Sequence, residues 1–290
     1  MFAKGVTLGK LDKPEDAIAA YNELDKRFGA DTSPAVRQQV ARVLFNKGVT
    51  LGKLDKSHDA IVVYEELDKR FGADAAPAMR EQVAKGLINK GFMLGQLDRP
   101  EDEIVVYEEL DKRFGADTAP AVREQVAIGL VNKGFRLGQL DKPEDEIAVY
   151  DELDKRFGAD TTLAVRELVA KGLNWAGFRR ILLAKQCWPD EARRVGFLQA
   201  ATIGLERAVL QCNAEDRAEN LGNFGYSLFL SGNHRAAETQ TLECLQLGGK
   251  RMLDAQFADA KLHRIESFDS QYEQLLNKLW RSFPAIPPKS

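Results

Sequence analysis

The chain repeats itself at intervals of 43 residues. A Lys-Gly pair at positions 4–5 recurs at 47–48, 90–91 and 133–134, and Gly177-Phe178 continues the series. Residues 88–130 and 131–173 differ at nine of their 43 positions, which indicates duplication of one structural unit. Units of this length cannot bury an apolar face alone and are typical of stacked repeat folds.

Each unit predicts two helices, which we call helix A and helix B. In the fourth copy, helix A begins at Pro120 and reaches Gln139, with apolar residues at helical spacing: Val122, Val126, Leu130 and Leu137. Helix B follows a capping-box pattern from Asp141 to Glu144 and stops at Gly158, where a left-handed residue is expected. The predicted fold class is therefore all-α: a right-handed, elongated α-solenoid of stacked antiparallel helix pairs.

The copies change character at about residue 187. Residues 1–187 predict an array of near-identical repeats, and residues 188–290 predict divergent repeats followed by C-terminal capping helices. Met1 begins inside helix A, about ten residues short of the other copies. Either the chain is an excerpt of a longer protein or its first helix is short. We therefore expect partly uncovered apolar residues at this end, and self-association or fraying there: Val36, Val40 and Leu44.

Composition and residue spacing weigh against several classes of function. The net charge of -3 comes without a basic cluster, so no nucleic-acid partner is expected. The three histidines are isolated and the three cysteines lie far apart, so we expect no metal, no cofactor, no catalytic site and no disulfide framework. Without a long apolar run or a signal sequence, no membrane partner is expected and the expected location is cytoplasmic.

The helix pair resembles a tetratricopeptide repeat. In the fourth copy the matching residues are Leu130, Gly134, Leu137 and Tyr150, and residues 220–237 match the pattern better still. The family's small residue is replaced by Glu146 in that copy, whereas Ala17 and Ala60 restore it in the first two. The resemblance covers nearly the whole chain and departs from the family in length, since the usual unit has about 34 residues.

The resemblance implies a ligand-binding concave face on helix A. In the family, an Asn at one offset hydrogen-bonds the backbone of a bound peptide, and this role carries over to Asn46, Asn89, Asn132 and Asn223, with Trp175 interrupting the row. Candidate neighbours on the same face are Phe92, Phe135, Phe178, Tyr226, Gln96 and Gln139. Small residues would leave room for the ligand: Gly52, Gly95 and Gly138.

These features predict a non-enzymatic protein–protein interaction scaffold that binds a peptide or partner segment in the groove. The alternative is a self-assembling structural repeat module that stacks through its terminal repeats. Aromatic residues at helical spacing are also typical of a helix core, so both assignments of the aromatic row stay open here. The sequence does not identify the partner.

Overall fold

The computed structural model describes residues 7–8 and 13–282, and all regular structure in these ranges is α-helical. Residues 13–282 contain twelve helices: α1 Pro14–Phe28, α2 Pro34–Lys53, α3 Ser57–Phe71, α4 Pro77–Gln96, α5 Pro100–Phe114, α6 Pro120–Gln139, α7 Pro143–Phe157, α8 Leu163–Gln186, α9 Glu191–Gln211, α10 Arg217–Leu230, α11 His234–Lys261 and α12 Glu266–Arg281. Short loops join helices that pack on each other, as in antiparallel pairs. The predicted all-α class of stacked helix pairs is confirmed.

The sequence period is also the structural period. Helices A (α2, α4, α6 and α8) begin at residues 34, 77, 120 and 163, and helices B (α1, α3, α5 and α7) begin at 14, 57, 100 and 143. Each of α2, α3 and α4 packs on the next helix in the chain, and α2 also packs on α4. The predicted bounds of the fourth copy, Pro120 to Gln139 and onward to Phe157, are confirmed.

The start of helix B differs from its prediction. The N-cap of α7 is Lys142, which makes no side-chain capping hydrogen bond, so the predicted capping box is wrong. Asp141 instead adopts the left-handed conformation, with φ 53°, and Asp55 and Asp98 do the same. Aspartate tolerates this conformation better than most residues, which lets the turn reverse before Pro143 starts the helix.

The glycine at the end of helix B also differs from its prediction. Gly158 is right-handed, with φ -61°, so it is not required for a left-handed turn. Its equivalent Gly72 gives the reason, since a Cβ there would lie 2.8 Å from Arg113 Nη2 and 2.5 Å from the Asp68 carbonyl oxygen. Arg113 donates to the Asp68 carboxylate at 2.7 Å and to the Gly72 carbonyl at 3.2 Å. Glycine is present because the next repeat's arginine approaches this closely.

The chain forms two compact units, one up to Arg136 and one from Leu137, with the boundary inside α6. This boundary differs from residue 187, because the sequence division rests on similarity between copies and not on packing. The second unit contains a large core built from α8 to α12. Its helix α11 kinks at Gly249, with φ 57° and ψ -144°.

The N-terminal end is better covered than predicted. Val40 and Leu44 are 4% and 2% exposed, because α1 and α3 pack on α2, and only Val36 is partly uncovered. The first copy's helix A falls in residues 1–10, which lie outside the described residues apart from Thr7 and Leu8.

Candidate protein-interaction surface

The predicted asparagine row lies on helices A, but two of its side chains bond within the protein. Asn89 hydrogen-bonds the Tyr64 hydroxyl, and Asn132 hydrogen-bonds the Tyr107 hydroxyl. Burial raises the pKa of both tyrosines, and these hydrogen bonds oppose part of the rise. Each asparagine, like Asn46, is half-buried. Asn89 and Asn132 therefore join helix A to the preceding helix B, in addition to any ligand they contact.

The row changes in the second unit. Trp175 occupies the asparagine position, with its ring centroid 5.8 Å from that of Tyr150, and the buried Tyr150 hydroxyl has no hydrogen-bond partner within residues 7–8 and 13–282. Asn223 is only 5% exposed and donates to Asn174 Oδ1 at 3.0 Å. The expectation of an open groove position is corrected for Asn223, because α10 is buried within the C-terminal core.

The exposed part of the predicted face is aromatic. Phe92 and Phe135 are 55% and 46% exposed, although large aromatic side chains are usually buried. They occupy the same position in consecutive helices A. Gln96 and Gln139 are exposed one turn further along, and Gln96 Oε1 accepts a hydrogen bond from Ser57 at 3.1 Å. Phe178, the next equivalent, is half-buried against the C-terminal core.

Tyr226 lies in the core, not on the predicted face. It is fully buried, and its hydroxyl accepts from Lys185 Nζ at 2.7 Å and donates to Asp269. Lys185 and Asp269 form an ion pair at 3.1 Å with both side chains fully buried. Lys185 also donates to the Ala260 carbonyl at 3.1 Å. This network ties the capping helix α12 to α8 and α10, which explains why Tyr226 is not available to a ligand.

The predicted small residues do not leave space open. A Cβ at Gly95 would lie 2.5 Å from both Arg136 Nη2 and Glu103 Oε2, and a Cβ at Gly138 would lie 2.7 Å from Glu146 Oε2. The protein's own side chains fill the room that was predicted for a ligand. These glycines permit close packing between repeats.

The side chains that fill this space form ion pairs that the sequence analysis missed. Arg136 Nε lies 2.6 Å from Glu103 Oε2, and Arg179 Nε lies 2.6 Å from Glu146 Oε2. Both carboxylates are nearly buried, and burial raises the pKa of Glu146 although Arg179 opposes the rise. The signal was a joint change between copies, since the earlier copies carry neither charge at these positions: Ala17 with Thr50, and Ala60 with Met93.

Ion pairs border the exposed aromatic residues of the first unit. Lys90 Nζ lies 2.9 Å from Glu65, and Lys133 Nζ lies 2.8 Å from Glu108. Each lysine follows an asparagine of the row, so charge on this face is locally balanced. The exposed aromatic side chains of Phe92 and Phe135, and not a net charge, therefore set this surface apart from the rest of the unit.

A second apolar surface lies in the C-terminal unit. A pocket of about 500 Å³ is lined by apolar residues of α9 and α10, including Val195, Leu198, Ile203, Leu228 and Leu230. Val195 and Ile203 are 50% and 54% exposed. Sequence reasoning missed the pocket because it treated α9 only as a longer helix B.

Three further observations concern the chemistry of the described ranges. Residues 7–8 and 13–282 hold no group of three metal-ligating side chains. In the same ranges no helix is long and apolar enough to cross a membrane. Cys187, Cys212 and Cys244 are free, and burial raises the pKa of Cys244 to about 12, which disfavours the reactive thiolate.

Comparison with known proteins adds information on the fold. No known protein family matches the chain, and no curated protein sequence matches it. It is similar to the crystal structure of BtubC from P. vanneervenii, with a TM-score of 0.57 and 17% identity over 81% of this chain and 90% of that chain. A tetratricopeptide repeat protein from Parabacteroides merdae aligns over 95% of this chain and 96% of its own, with a TM-score of 0.43 and 11% identity. At 17% identity, the likeness to BtubC shows a shared fold alone.

Proposed function

We propose that the protein is a non-enzymatic scaffold, a long-repeat variant of the tetratricopeptide type, which binds a peptide or partner segment on its helix A surface. The contact region is the exposed face of the first unit around Phe92 and Phe135. Asn46, Asn89 and Asn132 border it and offer amide groups to the ligand backbone. The proposal includes a cytoplasmic location and a protein partner, without a cofactor, nucleic acid or membrane.

One observation carries this proposal. Phe92 and Phe135 repeat at the same position of consecutive helices A and are about half exposed, at 55% and 46%. Aromatic residues contribute a large share of binding energy at protein interfaces because they bury much apolar area with few rotatable bonds. A regularly repeated exposed aromatic residue fits a partner segment that runs from one repeat to the next.

The test replaces both aromatic residues at once. Phe92→Ala with Phe135→Ala should lower the affinity for a captured partner by more than about 30-fold, since a strong interface residue contributes about 2 kcal/mol or more. Partner capture followed by quantitative mass spectrometry identifies the ligand, and titration of that ligand gives the affinity.

The matched control uses two exposed valines with the same spacing on helices B. Val62 and Val105 are 62% and 58% exposed, so Val62→Ala with Val105→Ala removes apolar surface elsewhere on the same unit. The valine variant should retain the partner. If the two double variants lose the partner equally, or neither loses it, the helix A surface is not the binding face.

The alternative function, self-assembly through the terminal repeats, stays a separate prediction. It requires a molar mass that rises with protein concentration, as measured by light scattering. The double variant Phe92→Ala with Phe135→Ala should show the same rise.

A further inference from the structure

The exposed face of α9 differs from that of α7, a helix B of the same unit. On α7 the exposed residues after Pro143 are mostly charged: Glu144, Asp145, Ala148, Asp151 and Lys155. On α9, three large apolar residues are 50%, 54% and 73% exposed: Val195, Ile203 and Leu210. Aligned apolar side chains on an otherwise exposed helix are typical of a face that another helix covers.

The exposed residues of α9 form a pattern that is the same in both directions. Steps of four, four, three and four positions place five of them on one helix face, which we call the α9 stripe: Val195, Gln199, Ile203, Glu206 and Leu210. From either end, the order is apolar, polar, apolar, polar, apolar. Two antiparallel copies of the stripe therefore match position by position, which an unrelated partner helix would not require.

The two polar residues of the α9 stripe select the antiparallel direction. Within residues 7–8 and 13–282 the exposed Glu206 carboxylate has no ion-pair partner, and the adjacent Arg207 is paired with Asp154 at 2.6 Å. In an antiparallel pair of copies, Gln199 of each lies opposite Glu206 of the other, and its amide can donate to that carboxylate. A parallel pair would instead oppose Glu206 to Glu206, and like charges repel.

The pocket of about 500 Å³ between α9 and α10 lies beside Val195. Its lining includes three buried leucines that are 4%, 6% and 5% exposed: Leu198, Leu228 and Leu230. In the antiparallel arrangement, the residue opposite Val195 is Leu210 of the second copy, whose side chain is 73% exposed in the single chain. A protruding leucine and an apolar pocket on one surface complement each other when two copies are related by a two-fold axis.

We propose that two copies of the chain form a closed dimer through antiparallel α9 helices. Leu210 of each copy enters the pocket beside Val195 of the other, and the two Ile203 side chains meet near the axis. Because both copies use the same surface, assembly stops at two chains. Stacking through terminal repeats would instead continue to add chains. The dimer does not depend on the helix A surface around Phe92 and Phe135, so the two proposals can fail separately.

Sedimentation equilibrium of the full chain tests the dimer. The molar mass should rise to twice the monomer value and then level off, with a dissociation constant of about 1 to 100 μM, as for a small interface. Ile203→Asp opposes two charges near the axis and should weaken the dimer more than about 100-fold. Its circular dichroism should stay native, because Ile203 is half-exposed. Val105→Asp, at a residue of α5 that is 58% exposed, is the matched control and should leave the dimer unchanged.

An exchange of the two polar residues tests which residues face each other. Gln199→Glu alone opposes two carboxylates on each side of the axis and should weaken the dimer about 5- to 20-fold. Adding Glu206→Gln reverses the amide and the carboxylate, and should restore the dissociation constant to within about 3-fold of the native value. Neither substitution touches a buried residue, so a change in mass reports on association and not on folding.

Cross-linking tests the two-fold axis directly. Ile203→Cys should give a disulfide-linked dimer under mild oxidation, whereas Val195→Cys should not, because Leu210 lies opposite. The native chain, with its three free cysteines, supplies the background. Equal cross-linking of both variants, a monomer at every concentration, or a polar exchange that restores nothing would overturn the proposal. A mass that grows beyond two chains and ignores Ile203→Asp would also overturn it, in favour of stacking through terminal repeats.

Discussion

At the residue scale, equivalent tyrosines of helix B have unequal surroundings. The Tyr107 hydroxyl donates to Glu103 Oε1 at 3.1 Å and is hydrogen-bonded by Asn132. The Tyr150 hydroxyl is also buried but has no hydrogen-bond partner among the described residues, and Trp175 stands at the position that Asn132 holds one copy earlier. A buried hydroxyl without a hydrogen bond costs about 1 to 3 kcal/mol. Two copies that are nearly identical in sequence thus differ in how they satisfy the same buried hydroxyl.

This difference predicts opposite effects for one substitution at two equivalent sites. Tyr150→Phe removes an unsatisfied hydroxyl and should stabilise the protein by about 1 kcal/mol, whereas Tyr107→Phe removes a bonded one and should destabilise it by a similar amount. Urea unfolding followed by circular dichroism measures both. Destabilisation of the two variants by the same amount would show that the Tyr150 hydroxyl is satisfied in solution.

At the element scale, the interface between α5 and α6 carries a charge pair where earlier copies carry none. Glu103 is 5% exposed, so it depends on Arg136 for compensation. In the preceding copy, the Met93 side chain occupies the equivalent place, since its sulfur lies 3.1 Å from a Cβ built at Gly52. The same backbone arrangement therefore accommodates either an alanine with a methionine or a glutamate with an arginine at this interface.

A double-mutant cycle tests whether the uncharged pair can replace the ion pair at the interface between α5 and α6. Arg136→Met alone leaves a buried carboxylate unpaired and should cost about 3 kcal/mol. Adding Glu103→Ala recreates the Ala60 and Met93 combination and should recover most of that loss, to within about 1 kcal/mol of the native chain. Thermal and urea unfolding of the two single variants and the double variant give the coupling energy. If the losses of the two single variants simply add in the double variant, the uncharged pair cannot replace the ion pair.

The second half of α11 predicts a pH effect. Burial, with Glu219 nearby, raises the pKa of Asp259 to about 6, although Lys185 opposes the rise. Because the folded pKa lies above the unfolded value, the proton stabilises the fold. That contribution is complete below about pH 4 and is lost as pH rises through 6.

Asp259→Asn imitates the protonated form and should raise the unfolding free energy at pH 8 by about 1 to 2 kcal/mol. It should also flatten the change between pH 5 and 7. The exposed Asp254 of the same helix supplies the control, because Asp254→Asn should leave the pH profile unchanged. Urea unfolding at several pH values makes the comparison, and a native-like slope in Asp259→Asn would contradict the assignment.

At the scale of the whole molecule, sequence periodicity predicted the helices because apolar spacing and proline positions are local signals. Pro120 begins a helix A, as expected, and Pro34 and Pro77 begin the equivalent helices of the earlier copies. The candidate surface was predictable only in part. Phe92 and Phe135 are exposed, but the hydrogen bond of Asn132 to Tyr107 depends on how helices meet, which spacing along one helix does not encode.

Burial of charged groups was the hardest feature to predict. Lys185 follows an apolar run, and its charge alone would place it in water. It is buried because Asp269, Tyr226 and a carbonyl oxygen surround it together, from distant parts of the chain. No local sequence pattern predicts this group of polar partners, since its members lie on different helices.

Along the array, two uncharged interfaces are followed by two ion-paired ones, and this order limits the gene rearrangements that the fold can tolerate. Unequal crossing-over between near-identical copies would remove whole periods of 43 residues. Loss of residues 33–75 would set Ala17 against Met93, a compatible junction, whereas loss of residues 76–118 would set Ala60 against Arg136 and leave the arginine without its carboxylate. The two deletion variants have equal length, yet the second should unfold at lower urea concentration. Copies that look interchangeable in the gene would then have a required order in the protein. Recombinants would persist only where the two interface positions brought together are both uncharged or form an ion pair.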